Sequence, residues 1–238
     1  MKTKRSPLSP GRLIETPANA SFSVDSLLLA AFAEPKKSDR VLELGSGCGI
    51  VPALFCLHKE FSSFTGVEID KAAARLAEKN LSENGFSDRA EILCADLKTL
   101  SFREEFDLAL ANPPYFEAKN KQSPDPLRRG QRSEEEADIF DFCSAAGKAL
   151  KYGGKAVFVW RAERLFSLFC ALKDARLTPK ELVPIKDAPE KEVKTVLVSA
   201  KKGAGEGLKI RRPFCFRTEG GEESEEAALL YREGRMEK

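Results

Sequence analysis

A doubly wound α/β fold is predicted for this chain: a mostly parallel seven-stranded sheet with an antiparallel edge strand, in the Rossmann-like manner. Three features predict it. Short apolar runs alternate with segments of helical periodicity from residue 41 to residue 200. A glycine-rich turn follows the first of those runs. Three consecutive strand ends then carry an acidic residue, Glu43, Glu68 and Asp96. Strands that alternate with helices build a parallel sheet, and such sheets bind ligands at the carboxyl ends of their strands.

The elements follow in order. Residues 1–21 are rich in Ser, Pro and Lys/Arg and read as a loose basic arm, ahead of one domain over 22–238. FSVDSLLLAAFA (22–33) is an apolar helix with Ser23 or Asp25 available as its cap. VLEL (41–44) is a buried strand, ended by glycines. Ile50 to His58 is a helix, with Pro52 in its first turn, where a missing N–H costs nothing. TGVEI (65–69) is the second strand; Asp70 caps the helix Lys71–Asn84 and Gly85 stops it. AEILCAD (90–96) is the third strand, and FDLALANPPY (106–115) the fourth with its exit loop. Ser133 to Lys151 has helical periodicity and ends at Gly153-Gly154. KAVFVW (155–160) is the fifth strand, followed by a helix from Ala162 to Arg176. ELVPI (181–185) and VKTVLVSA (193–200) lie close enough in sequence to pair antiparallel at the sheet edge.

Composition excludes several classes. Hydrophobic residues make up 42% of the 238 and charged residues 32%, which fits a globular protein and not a disordered one. No apolar run approaches the roughly 18 residues that span a bilayer. The opening MKTKRSPLSPGR has charge but no apolar core behind it, so no secretory signal is expected and the chain is placed in the cytoplasm. Six widely spaced cysteines without a CxxC pair, and His58 as the single histidine, argue against a metal site or a histidine-based hydrolase. A net charge of +2 does not announce a nucleic-acid partner. The basic residues do cluster: Lys2, Lys4, Arg5 and Arg12; then Lys119, Lys121, Arg128, Arg129 and Arg132; then Lys201, Lys202, Lys209, Arg211, Arg212 and Arg217. Such clusters could follow a phosphate track or simply be solvated surface.

The first turn reads Glu43-Leu44-Gly45-Ser46-Gly47-Cys48-Gly49. Glycines there let the backbone turn sharply and approach a ligand with no Cβ in the way. Glu68, 19 residues after Gly49, can accept hydrogen bonds from both hydroxyls of a ribose. The spacing is GxGxG and not the GxGxxG of dinucleotide turns. An acid at Glu43 would repel a pyrophosphate and suits a cationic sulfonium amino acid, directly or through water. The cofactor so indicated is S-adenosylmethionine, leaving as S-adenosylhomocysteine, with no metal. Asp96 would accept from the adenine amino group, and Leu97 would offer a backbone N–H to the ring.

Asn112-Pro113-Pro114-Tyr115 follows the fourth strand. The lone pair of an exocyclic amino nitrogen is delocalised into its ring. A site that methylates it must accept both N–H groups and turn the lone pair toward the methyl. The Asn112 side-chain carbonyl and the Pro113 backbone carbonyl can do so together, and the prolines hold the second acceptor in place beforehand. Tyr115 offers a face on which an extruded base can stack, and Arg128, Arg129 and Arg132 beyond it are the candidate phosphate contacts. Asn112, between cofactor and substrate, is a candidate for contact with both. Asn-Pro and Pro-Pro are also ordinary chain breakers, but here they follow a complete cofactor turn.

With these residues in view, the chain resembles the class I methyltransferases that carry an (N/D)PP(Y/F) motif. More narrowly, it is similar to the bacterial tRNA1(Val) adenine-N6-methyltransferase family. The similarity rests on FSVDSLLLAAFA, VLELGSGCGI, GVEID, CAD and NPPY, then Arg132-Ser133-Glu134, KYGGKAVFVW, LKIRRPF and Glu225 to Tyr231. It implies methylation of the adenine just 3′ of a tRNA anticodon, with RNA as partner and neither membrane nor obligate protein partner. Glu43 stands where many relatives have Asp. Two alternatives share the motif. Release-factor glutamine-N5-methyltransferases carry a sizeable helical domain ahead of the fold, where this chain has about 40 residues before its first strand. Ribosomal guanine-N2 enzymes more often have Phe after the prolines.

Overall fold

The structure is a computed structural model that describes residues 2–18, 23–114 and 137–236. Its centre is a sheet built around β3 (Arg40–Leu44), β4 (Ser63–Glu68), β5 (Ala90–Cys94), β6 (Phe106–Ala111), β7 (Leu150–Arg161), β8 (Leu177–Lys186) and β9 (Thr195–Lys202). Their order is β8-β9-β7-β6-β3-β4-β5. Two-residue strands β10 (Lys209–Ile210) and β11 (Phe214–Cys215) extend it beyond β8. The antiparallel pair expected at the edge is β8 and β9. Within it, β9 runs against both neighbours, sitting between β7 and β8.

β3 has β4 on one side and β6 on the other, both parallel to it. The chain order therefore reverses between β3 and β6, and the crevice above their carboxyl ends is where such sheets hold ligands. Both faces of the sheet are covered, which is why β3 is buried from Val41 to Leu44 with no polar alternation. One apolar layer packs beneath α1 (Val24–Phe32), α2 (Ile50–His58), α3 (Lys71–Glu83) and α6 (Glu225–Glu233). The other packs beneath α4 (Ile139–Ala149) and α5 (Leu165–Asp174).

The helix ends obey local chemistry. Asp70 caps α3 by accepting from the Ala72 and Ala73 amides at 2.7 and 2.8 Å, which satisfies donors the helix leaves free. Asp138 and Asp141 form a reciprocal capping box at the start of α4. Among the described residues, no helix is long and apolar enough to cross a membrane.

Three expectations are corrected. The segment read as a loose arm contains a hairpin, β1 (Thr3–Ser9) and β2 (Arg12–Pro17), in which Ile14 and Thr16 are fully buried. Its composition suggested a tail, but the alternation of Leu13, Ile14, Glu15 and Thr16 puts one face of β2 against α3. The fourth helix stops at Ala149 and not at Lys151. Leu150 instead pairs with Phe106 and opens β7, and Gly153 sits in the left-handed region where the register shifts. The predicted helix from Ala162 becomes a single 3-10 turn leading into α5.

Candidate active site

The glycine turn is shaped by the strand beside it. The Gly45 and Ser46 amides donate to the Val67 carbonyl at 2.8 and 3.0 Å, and the Gly47 amide donates to Glu68 Oε2 at 2.8 Å. Gly49 starts α2 with φ of 83°. A Cβ there would also stand 3.0 Å from that of Ala77 on α3. Both the conformation and the close approach therefore require glycine.

A cavity of about 370 Å³ opens above this turn at the carboxyl ends of β3 to β6. Of the residues singled out from the sequence, Gly45, Glu68, Asp96, Leu97, Asn112 and Pro114 line it. Glu68 has a fixed orientation, because its second oxygen accepts from the Asp70 amide at 2.8 Å. Asp96 caps the 3-10 turn Leu97–Thr99 through the Lys98 amide at 2.9 Å, with the Lys98 Nζ at 3.7 Å from its other oxygen. Asn112 follows directly on β6, with Pro113 buried behind it and Pro114 exposed. Tyr115, Arg128, Arg129 and Arg132 lie outside the described residues.

Glu43 does not line the cavity. It is 2% exposed, on the strand beneath the turn, and its Oε2 has no hydrogen-bond partner. Burial, reinforced by the charge of Glu68, holds this carboxyl well above the usual carboxylate range. Ser46 Oγ is likewise buried without a partner. Burial pushes the neighbouring Cys48 thiol up to about 11, so it is no nucleophile at neutral pH.

Sequence reasoning missed five residues of the cavity wall, Val67, Ile69, Ala95, Ala137 and Phe142. Ile69 is 60% exposed just past Glu68, an apolar side chain left in the open beside the cavity mouth. Only the structure reveals that exposure. Phe142 comes from α4, whose approach to the glycine turn depends on tertiary packing alone. A second cavity of about 300 Å³ lies between α1 and the β7–β9 end of the sheet and holds none of the predicted site residues. Its guanidinium groups are engaged, Arg211 with Glu181 at 2.9 Å and Arg212 with Glu226 at 2.7 Å.

Residues 21–169 match the model of the family described as methyltransferase small domain. A tRNA1(Val) (adenine(37)-N6)-methyltransferase from a Flavobacteriaceae bacterium is 36% identical over 45% of this chain and 46% of its own length. A protein of the same name from Porphyromonas gingivalis is 30% identical over 73% of this chain and 71% of its own. Among solved structures, a predicted O-methyltransferase from Agrobacterium tumefaciens superposes with a TM-score of 0.73. The superposition covers 90% of this chain and 98% of that one at 21% identity, and it bears on the fold alone. S-adenosylmethionine is the cofactor of this family. The cavity suits it, with Glu68 and Asp96 on its rim and an unpartnered carboxyl oxygen buried beneath its glycine turn. A glycine turn tied to an acidic strand end, an Asn-Pro-Pro step on the adjoining strand, and a match across more than half the residues together make this chain a member of the methyltransferase small domain family.

Proposed function

We propose that this chain methylates the N6 of an adenine in tRNA, at the position named for its relatives, adenine 37 beside the anticodon. One observation carries the reading: Asn112, at the end of β6, lines the same cavity as Gly45, Glu68 and Asp96. Substrate acceptor and cofactor cradle are then neighbours.

Glu68 would receive the ribose hydroxyls, with both its oxygens already oriented by the Gly47 and Asp70 amides. Asp96 would take the adenine amino group and the Leu97 amide would face the ring. Gly45, Gly47 and Gly49 would let the backbone approach the amino-acid portion, whose positive charge would draw the buried Glu43 beneath them toward its ionised form. When bound, S-adenosylmethionine supplies the electrophilic methyl group.

On the substrate side, the Asn112 carbonyl and the Pro113 carbonyl would accept the two N–H groups of the adenine, turning its lone pair out of the ring plane. Pro114 stiffens that step, Tyr115 would stack on the extruded base, and Arg128, Arg129 and Arg132 would contact phosphates. The nitrogen loses its proton to solvent only after it has become cationic, so no strong base is needed. The chain would act in the cytoplasm, on RNA. The test is mass analysis of nucleosides in tRNA from a strain lacking the protein. N6-methyladenosine should vanish at that one position, and return when purified protein and S-adenosylmethionine are added.

A further inference from the structure

Ala77 and Asn80 on one face of α3, with Asn84 at its C-terminal cap, join the glycine turn to the N-terminal hairpin. They lie at helical spacing, so they point the same way. Ala77 packs against Gly49. Asn80, 1% exposed, donates from Nδ2 to the Cys48 carbonyl at 2.8 Å and to the Glu15 carbonyl at 2.8 Å. Its Oδ1 accepts from the Glu15 amide at 2.9 Å. Asn84 donates to the Leu13 carbonyl at 2.8 Å, and its own carbonyl accepts from the Arg12 guanidinium. Lys79 adds an ion pair to Glu15 at 2.5 Å on the exposed side.

One carboxamide thus bonds a carbonyl of the glycine turn and both backbone groups of a hairpin residue. Both its donors and its acceptor are used, so it has one orientation that satisfies them all. Neither Asn80 nor any hairpin residue lines the cavity. The Cys48 carbonyl, however, sits between Gly47 and Gly49, both in the left-handed region. The Gly47 amide is the group that holds Glu68. Glu68 holds the Gly47 amide and the Ser46 carbonyl holds the Gly49 amide at 2.9 Å, and Asn80 adds the bond to the Cys48 carbonyl between them.

We infer that Asn80 is a positioning residue for the cofactor and that the hairpin β1–β2 acts as its clamp, so that hairpin docking and cofactor binding stabilise each other. The inference rests on the glycine turn being the cofactor turn. Linkage requires the effect to be reciprocal. A ligand that favours the ordered turn must also favour the docked hairpin, although it never touches it.

The test uses the full chain and S-adenosylhomocysteine as the probe. In the wild type, saturating ligand should slow amide hydrogen exchange across Thr3 to Pro17. Asn80→Ala should weaken ligand binding by about three- to tenfold, the worth of one or two hydrogen bonds, and should abolish the ligand-dependent protection of the hairpin. Ile14→Ala, which loosens the hairpin from the core without touching the turn, should weaken binding in the same direction. The Ile14→Ala/Asn80→Ala pair should lose less than the two single effects summed. A purely structural Asn80 would lower the melting temperature and leave all three readouts unmoved. Wild-type hairpin exchange that ignores saturating ligand overturns the inference, and decides it alone if Asn80→Ala does not fold. An Asn80→Ala chain with wild-type affinity overturns it equally. A wild-type chain that takes up no ligand overturns the cofactor assignment as well, and the titration separates that failure from the others.

Discussion

The Gly47 amide and the Glu68 carboxylate meet at 2.8 Å, which ties the tip of the glycine turn after β3 to the end of β4. With the Asp70 amide on its other oxygen, Glu68 faces the cavity preoriented for a ligand bearing two hydroxyls. Glu68→Ala should therefore weaken S-adenosylhomocysteine binding by roughly 1–3 kcal/mol, through the loss of charge-assisted hydrogen bonds and of the anchored turn. Isothermal calorimetry measures it. An unchanged affinity would sink the ribose role.

Asn112 should separate chemistry from binding. Its carbonyl matters most when the amino group is being pyramidalised, so Asn112→Ala should slow methyl transfer by about 100-fold or more with cofactor affinity nearly intact. Single-turnover rates alongside calorimetry report both quantities. Activity within a factor of three of wild type would remove Asn112 from the amino-group clamp.

Glu43 makes a prediction about pH. Its native carboxyl lies well above the ordinary 4.5, because it is buried and faces the Glu68 charge. Folding therefore favours the neutral acid. The stability this contributes is full below the unfolded value of about 4.5 and is lost as pH rises through the native value, at about 1.4 kcal/mol for each unit between the two. Glu43→Gln removes that loss. Relative to wild type, the cofactor-free variant should gain stability as pH rises above 4.5, read by denaturant unfolding across a pH series. A constant difference between the two proteins at every pH would count against a buried, shifted acid.

Gly49→Ala should destabilise the fold by about 1–3 kcal/mol, since it places a Cβ at a φ of 83° and within 3.0 Å of Ala77. Thermal unfolding checks this. A variant as stable as wild type would mean the turn relaxes away from α3.

The tRNA reading is tested by charge. Reversal of Arg128 and Arg129 should raise the KM for tRNA and flatten the salt dependence of binding by about one counterion per lost contact, with cofactor affinity unchanged. A radiolabel assay on extract from a deletion strain, with and without ribonuclease, provides the complementary test. Label that stays in a protein band after ribonuclease would point to a glutamine side chain and away from RNA.

Much of the site was legible because its signals are local. Asp70 caps α3 for reasons contained in four residues, and the glycines after Leu44 announce a turn by their chemistry. Asn112 and Pro114 could be placed beside Glu68 because parallel strands bring their carboxyl ends to one edge of the sheet. Glu43 was legible as an acid at a strand end but not as one buried beneath the turn. Its depth depends on α1 and α2 covering that face. Phe142 and Ile69 carried no signal as cavity walls.

The N-terminal hairpin marks the same boundary. Its Ser, Pro and Lys content favours a tail, and only the partners waiting on α3 make an ordered hairpin the better state. The sequence by itself determined the order of strands and helices from α1 to β9, the glycine turn, the acidic strand ends and the Asn-Pro-Pro step, since each follows from hydrophobic period or backbone chemistry within a few residues. Tertiary structure alone decided that Asn80 bonds Cys48 and Glu15 at once, 32 and 65 residues away. Such a contact depends on the packing of three separate segments, and a buried carboxamide adopts its partners only after that packing has excluded water.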